Sequence, residues 1–214
     1  MTKFVISRYK HDLSWLREYT DDAVIYDRSE VPLTVYTMPG FETPVFFKNL
    51  KIKKVPNIGT DIYDKFTFII DNYDNLPDVA VYTKANLFKY ISKEEFDLVR
   101  DNKTFTPLLT KNHEEREGIC FYDKDGMYNE INNYWYVREH QTKTMNSFRD
   151  IKKILGFEGK DFLQFAPGSN YILPKENILK HPKELYEKFR GYLEWAVYPG
   201  EAQLIERGLF YLWR

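Results

Sequence analysis

Cysteine is nearly missing from this sequence, with Cys120 the single one among 214 residues. That excludes a disulfide framework and a thiolate metal cluster, and it suits a reducing compartment. The four histidines, His11, His113, His140 and His181, are scattered without the spacing of metal ligands. An excess of charge of either sign is missing too. Lys and Arg total 31 against 32 Asp and Glu, for a formal net charge of -1. Nothing global therefore recruits nucleic acid or an anionic membrane, and any phosphate has to be bound locally. The basic residues form no clustered stripe, so no nucleic-acid partner is expected. No apolar run approaches the roughly 20 residues that span a bilayer, and no targeting segment is visible, so the expectation is no membrane span and a cytoplasmic location. The Walker loop, the GxGxxG fingerprint, the HExxH helix and the GxSxG elbow are all absent, which removes the main support for the common phosphate-loop, dinucleotide, zinc-protease and hydrolase readings.

What the chain does have is aromatic residues, 17 Tyr and 16 Phe, and short apolar runs that stop abruptly on polar residues. Aromatic faces stack on nucleobases and sugars, although core packing accounts for most of them. Phe4-Val5-Ile6 stops at Ser7-Arg8, Ala23-Val24-Ile25-Tyr26 at Asp27-Arg28-Ser29, and Val79-Ala80-Val81-Tyr82 at Thr83-Lys84-Ala85-Asn86. Apolar runs separated by helix-like stretches read as buried parallel strands, and open α/β sheets bind ligands outside the carboxyl ends of such strands. The polar stops are thus expected to line one site.

The pattern predicts strands at 4–8, 23–27, 51–55 and 78–83. A helix begins near Asp12, and another carries Ile62, Phe66, Ile69, Ile70 and Tyr73. Residues 30–50, with Pro32, Pro39, Gly40 and Pro44, read as an insertion or hairpin. Further on, helices are expected at 94–99, 145–155, 182–196 and 201–213, with strands at 119–122, 162–165 and 171–174. The fold class is α/β, a single domain whose residues 1–90 form a nucleotide-binding half and 91–214 an acceptor half. The chain stops at Leu212-Trp213-Arg214 inside an apolar pattern, which suggests one domain of a longer protein.

Several residues carry chemical options. Arg8 can grip a diphosphate bidentately or form a surface ion pair with a neighbour such as Asp12. Asp27 can accept hydrogen bonds from a ribose or a uracil N–H, or cap a turn with Ser29. Asp61, Asp64 and Lys65 open a helix facing the same rim, where free N–H groups attract anions; acids there also simply compensate the helix dipole. Asp123-Lys124-Asp125 can share a divalent ion, or, with Gly126 following, make a tight turn. Glu201 and Glu206, with Arg207 adjacent, offer a general base toward an acceptor hydroxyl or a stabilising Glu-Arg pair.

The order strand, helix, strand, insertion, strand, helix, strand resembles the nucleotide-binding half of GT-A-fold glycosyltransferases, in which a mixed central sheet is flanked by helices. The run Phe165 to Glu176, containing Gly168 and Ser169, resembles their acceptor-side strand, and residues 201–207 the helix that closes the site. Nearly the whole chain is similar to chlorella-virus glycosyltransferases that decorate the major capsid protein. The stretch Ile69 to Asp78 together with Glu206-Arg207 is also similar to a family of small uncharacterised domains of fungi and bacteria. The resemblance implies a nucleotide-sugar donor, most often UDP-linked, a glycan or glycoprotein acceptor, and Mn2+ or Mg2+ held by an Asp-x-Asp at the end of the fourth strand. At those positions stand Thr83, Lys84, Ala85 and Asn86, with no carboxylate. Lys84 then replaces part of the cation's charge, or Asp78, or Asp123 and Asp125, hold the metal. Arg8 and Lys84 would neutralise the diphosphate, Asp27 would hold the nucleoside, and Glu201 or Glu206 would meet the acceptor. The alternative is a non-catalytic carbohydrate-binding or scaffold domain that kept the fold.

Overall fold

The structure, a computed structural model, describes residues 1–31, 33, 49–111, 113–131, 138–158 and 162–214. The insertion expected at 30–50 lies largely outside them. Nine strands are described: β1 (Thr2–Arg8), β2 (Asp22–Asp27), β3 (Asn49–Lys54), β4 (Val79–Lys84), β5 (Thr106–Pro107), β6 (Cys120–Tyr122), β7 (Tyr128–Ile131), β8 (Phe162–Gln164) and β9 (Tyr171–Pro174). The described α-helices, in chain order, are α1 (Thr60–Asp71), α2 (Lys93–Val99), α3 (Phe148–Leu155), α4 (Lys175–Ile178), α5 (Lys183–Gly191) and α6 (Gly200–Trp213).

The main sheet has six strands in the order β3-β2-β1-β4-β9-β5. The first four run parallel, whereas β9 is antiparallel to β4 and β5 antiparallel to β9, so the sheet is mixed. Its central strands are buried on both faces, and successive residues feed two different cores, as the two-residue period of a strand requires. Val5, Val24, Tyr26, Ala80 and Tyr82 pack on one side with Phe66 of α1, Phe189 of α5 and Trp213 of α6. Phe4, Ile6, Ala23, Ile25, Val79 and Val81 pack on the other with Leu16 and with Phe96 of α2. Aromatic stacking ties the first layer together. Trp213 lies over Tyr82 at 6.0 Å and 10°, and Phe66 over Phe189 at 5.8 Å. Each such ring buries enough apolar area to contribute about 1.5–3 kcal/mol.

A separate three-stranded antiparallel sheet, β6-β7-β8, adjoins this layer, and the backbone N–H of Gln164 donates to the Tyr211 hydroxyl of α6 at 3.2 Å. The helix expected after Asp12 is instead a single 3-10 turn, Ser14–Glu18, preceded by Asp12 accepting from the N–H of Leu13. One buried leucine within the turn, Leu16, is too little apolar surface to extend it. The helix expected over 182–196 ends at Gly191. No helix of the described residues is long and apolar enough to cross a membrane.

Candidate functional site

In the main sheet β2 and β3 lie to one side of β1 and β4 to the other, so the topological switch point falls between β1 and β4. A cleft of about 410 Å3 opens there, on the rim formed by the carboxyl ends of the parallel strands. Ser7, Arg8, Tyr9 and His11 reach it from the end of β1, Arg28 from the end of β2, Asn57, Thr60 and Asp61 from the start of α1, and Lys84, Asn86 and Tyr90 from the end of β4 and beyond. Gly168 closes it from the loop before β9, and Tyr198, Gln203 and Glu206 from α6 and the segment leading into it.

Backbone geometry sets the α1 corner. Gly59 and Thr60 both adopt left-handed conformations, φ 63° and 59°, unusual for a β-branched threonine. Their N–H groups donate to the carbonyls of Ala196 and Val197, which ties the start of α1 to the segment carrying Tyr198. A Cβ at Gly59 would lie 2.8 Å from that of Leu193, so only glycine allows the approach.

At the centre of the floor, Asp61 is paired with the ammonium of Lys65, receives the hydroxyl of Ser169, and lies 3.2 Å from Lys84 Nζ. Burial alone would raise the Asp61 carboxyl, but Lys65 and Lys84 override it and hold it well below the usual carboxylate range. Burial likewise works against the charge on Lys84, and Asp61 and Glu206 override it, so its ammonium is held above the ordinary lysine value. The Lys84 side chain keeps 27% of its surface exposed and its ammonium lies 5.4 Å from the centre of the Tyr90 ring. Its backbone is fixed as well, its N–H donating to Asn170 Oδ1 at 2.8 Å.

Glu206 lines the same cleft. Its Oε1 accepts the N–H of Gly168 at 2.8 Å and its Oε2 a guanidinium N–H of Arg207 at 2.6 Å. Arg207 is held in turn by Glu130 of β7 at 2.9 Å and lies over the Phe165 ring at 4.5 Å. Thus Ser7, Arg8, Asp61, Lys84, Asn86, Gly168 and Glu206 share the cleft, while Lys65 and Ser169 support its floor and Arg207 backs Glu206. Thr83, beside Lys84, is fully buried.

Other expected site residues turn inward or stand elsewhere. Arg8 and Asp27 bind each other at 2.8 Å, a buried pair joined by Lys54 at 2.6 Å and by the N–H of Ser29, so the Arg8 guanidinium is committed to the protein and its carboxylate partner is not Asp12. Asp64 receives Arg28 bidentately, at 2.8 and 2.7 Å, and is no mere dipole compensator. Glu201 does not line the cleft. Its Oε1 accepts the N–H groups of Lys143 and Thr144 at 2.6 and 2.7 Å. Five helical residues place it about 140° around α6 from Glu206.

Neither Asp78 nor the Asp123 and Asp125 pair, the alternatives for a metal, lines the cleft. Asp78 precedes β4, at the opposite end of the sheet from the cleft, where Lys175 and the terminal amine hold its carboxyl down to about 2. Asp123 closes the β6–β7 turn, accepting from the N–H groups of Asp125 and Met127, with Gly126 at φ 72°. No group of three or more His, Cys, Asp or Glu among the described residues is placed to hold a metal. The carboxylates that do line the cleft, Asp61 and Glu206, each face fixed cations or N–H donors, a donor set that does not fit a divalent ion. Among cleft residues, sequence reading missed the roles of Arg28, Tyr9, Tyr90, Tyr198 and Gln203. Arg28 was already visible in the polar stop after β2, but its partner lies 36 positions away.

A family model described as protein of unknown function (DUF3431) matches residues 4–214. No curated protein and no solved structure matches the chain.

Proposed function

The chain belongs to the DUF3431 family, and we propose that it is a glycosyltransferase domain moving a sugar from a nucleoside-diphosphate donor, UDP-linked in the first instance, to a hydroxyl of a glycan or glycoprotein. The observation that carries this reading is the presence of a cation and a carboxylate in one cleft at the switch point. Lys84 at the end of β4 and Glu206 on α6 are charged groups of opposite sign, both held in place by the protein and both lining the cleft. The mixed sheet, with β4 followed by an antiparallel neighbour, is compatible with a GT-A-like arrangement.

In this reading the diphosphate lies against Lys84 at the first turn of α1, whose dipole favours anions. Negative charge grows on the diphosphate as the bond from the anomeric carbon to its oxygen breaks, and a fixed ammonium stabilises that growth without having to reorganise. The acceptor hydroxyl forms the new bond to the same carbon and passes its proton to Glu206, which Gly168 and Arg207 keep oriented. Tyr9 and Tyr198, 39% and 56% exposed at the mouth, offer faces for a sugar or base. Arg8 contributes positive field while remaining bound to Asp27.

The test is release of UDP from UDP-sugars, followed with the wild type and with Glu206→Gln. Turnover by the wild type and a loss of about 10²–10⁴-fold in the variant, the usual contribution of a general base, is the expected result. Glycan binding with no affinity for any nucleotide would instead identify the carbohydrate-binding scaffold.

A further inference from the structure

The exit of β4 leaves open whether Lys84 or a carboxylate from elsewhere meets the donor's charge, and the cleft favours Lys84. Where an Asp-x-Asp would stand, the chain exits β4 through Thr83 and Lys84, and the carboxylates that reach the cleft are neutralised in place. We propose, resting on the glycosyl-transfer reading, that the donor diphosphate is bound without a divalent cation, its charge being met by the Lys84 ammonium at the head of α1.

Four observations converge on this assignment. Lys65, Lys84 and Asp61 form a compact triad in which two amine side chains surround one carboxylate, where a metal site would gather carboxylates around its ion. Lys65 is fully buried and Lys84 only partly so, which makes Lys84 the member of the triad that a ligand can touch. The triad sits at the first turn of α1, a helix of 12 residues, so the helix dipole adds positive potential there. Finally, Lys84 is anchored at both ends: its N–H binds Asn170 and its ammonium rests between Asp61 and the Tyr90 ring. A metal ion entering here would meet the Lys84 and Lys65 charges at close range and find no carboxylate oxygen outside an existing ion pair or hydrogen bond among the described residues. A diphosphate meets an oriented ammonium donor. Asp61 keeps the ammonium charged and aimed.

The experiment is calorimetric titration of UDP, with GDP and dTDP in parallel, into the wild-type protein in EDTA, and again with excess Mn2+ or Mg2+, alongside Lys84→Met and Lys84→Arg. The expected result is saturable binding whose affinity agrees within about threefold across the three buffers, with Lys84→Met weaker by about tenfold or more in each and Lys84→Arg retaining most of it. A gain of about tenfold or more on adding Mn2+ or Mg2+ to the wild type would overturn metal independence while leaving the donor site and the proposed function standing. Wild-type affinity in a Lys84→Met protein that melts cooperatively would overturn the role of Lys84. Absence of binding by UDP, GDP and dTDP in every buffer would remove the glycosyl-transfer reading, and this inference with it.

Discussion

At the scale of single residues, the cleft is built from contacts that tolerate little change, and Gly168 is the sharpest case. Its φ of +87° is a conformation that side chains rarely adopt, and an added Cβ would lie 2.5 Å from the Tyr90 ring, which borders Lys84. Gly126 in the β6–β7 turn has a comparable φ of 72°, but a Cβ added there would meet nothing within 4 Å. The pair separates backbone strain from collision. Gly126→Ala is expected to lower stability by about 1 kcal/mol, the cost of the strained backbone alone. Gly168→Ala is expected to cost about 2–4 kcal/mol, because it adds overpacking to the same strain, and to weaken UDP binding by shifting Tyr90. Urea unfolding of both variants with a UDP titration of each checks this. Equal losses in the two would mean that Tyr90 moves aside freely and does not shape the cleft.

At the scale of elements, the apolar runs were legible because strand burial on both faces leaves its mark on sequence directly. Phe4 to Arg8 and Val79 to Lys84 could hardly have been anything else. The pairing of the small sheet was not legible. Its strands are three and four residues long, and β8 pairs with β7 across some thirty intervening positions, so its formation depends on tertiary contacts that no local pattern encodes. Glu201 shows the same limit at a helix end. Placed at the first turn of α6, it reads as a base toward an acceptor or as part of a Glu-Arg pair, yet it is fully buried and binds the 143–144 loop. Its removal would leave two N–H donors unpaired, at about 1–3 kcal/mol each where they are buried. In Glu201→Ala, hydrogen exchange at Lys143 and Thr144 is expected to quicken markedly, while the amide of Lys84, bonded to Asn170, keeps its protection. Faster exchange at Lys84 as well would show that Glu201 supports the cleft floor and not this loop alone.

At the scale of the whole molecule, the position of the cleft was legible and its charge state was not. Polar residues that end apolar parallel strands must share one rim, so Ser7, Lys84 and Asn86 could be placed together from sequence. Which cations stay open to a ligand depends on partners 19 to 36 positions away, as with Arg8 and Asp27 or Arg28 and Asp64, and those pairings exist only in the folded chain. The buried pairs also govern the response to acid. Burial pushes the Asp27 and Asp61 carboxyls up, but Lys54, Ser29 and Arg8 for the first, and Lys65 and Lys84 for the second, leave both below their ordinary values. A carboxylate whose folded pKa is depressed binds protons less readily when folded, so its contribution is fully present above the unfolded value near about 4 and is lost as the pH falls toward the folded value. The share of the urea midpoint that these two carboxylates carry should therefore hold steady from neutrality down to about pH 5 and decline below about pH 4, while Asp64, whose carboxyl burial pushes up despite Arg28, acts in the opposite direction. In Asp61→Asn, which removes one of these carboxylates, the protein should be less stable at pH 7, and its decline between about pH 4 and 2 should be shallower than in the wild type. An acid slope unchanged by the substitution would mean that Asp61 carries no depressed titration, and with it would go the argument that Lys65 and Lys84 hold its carboxylate ionised beneath the cleft.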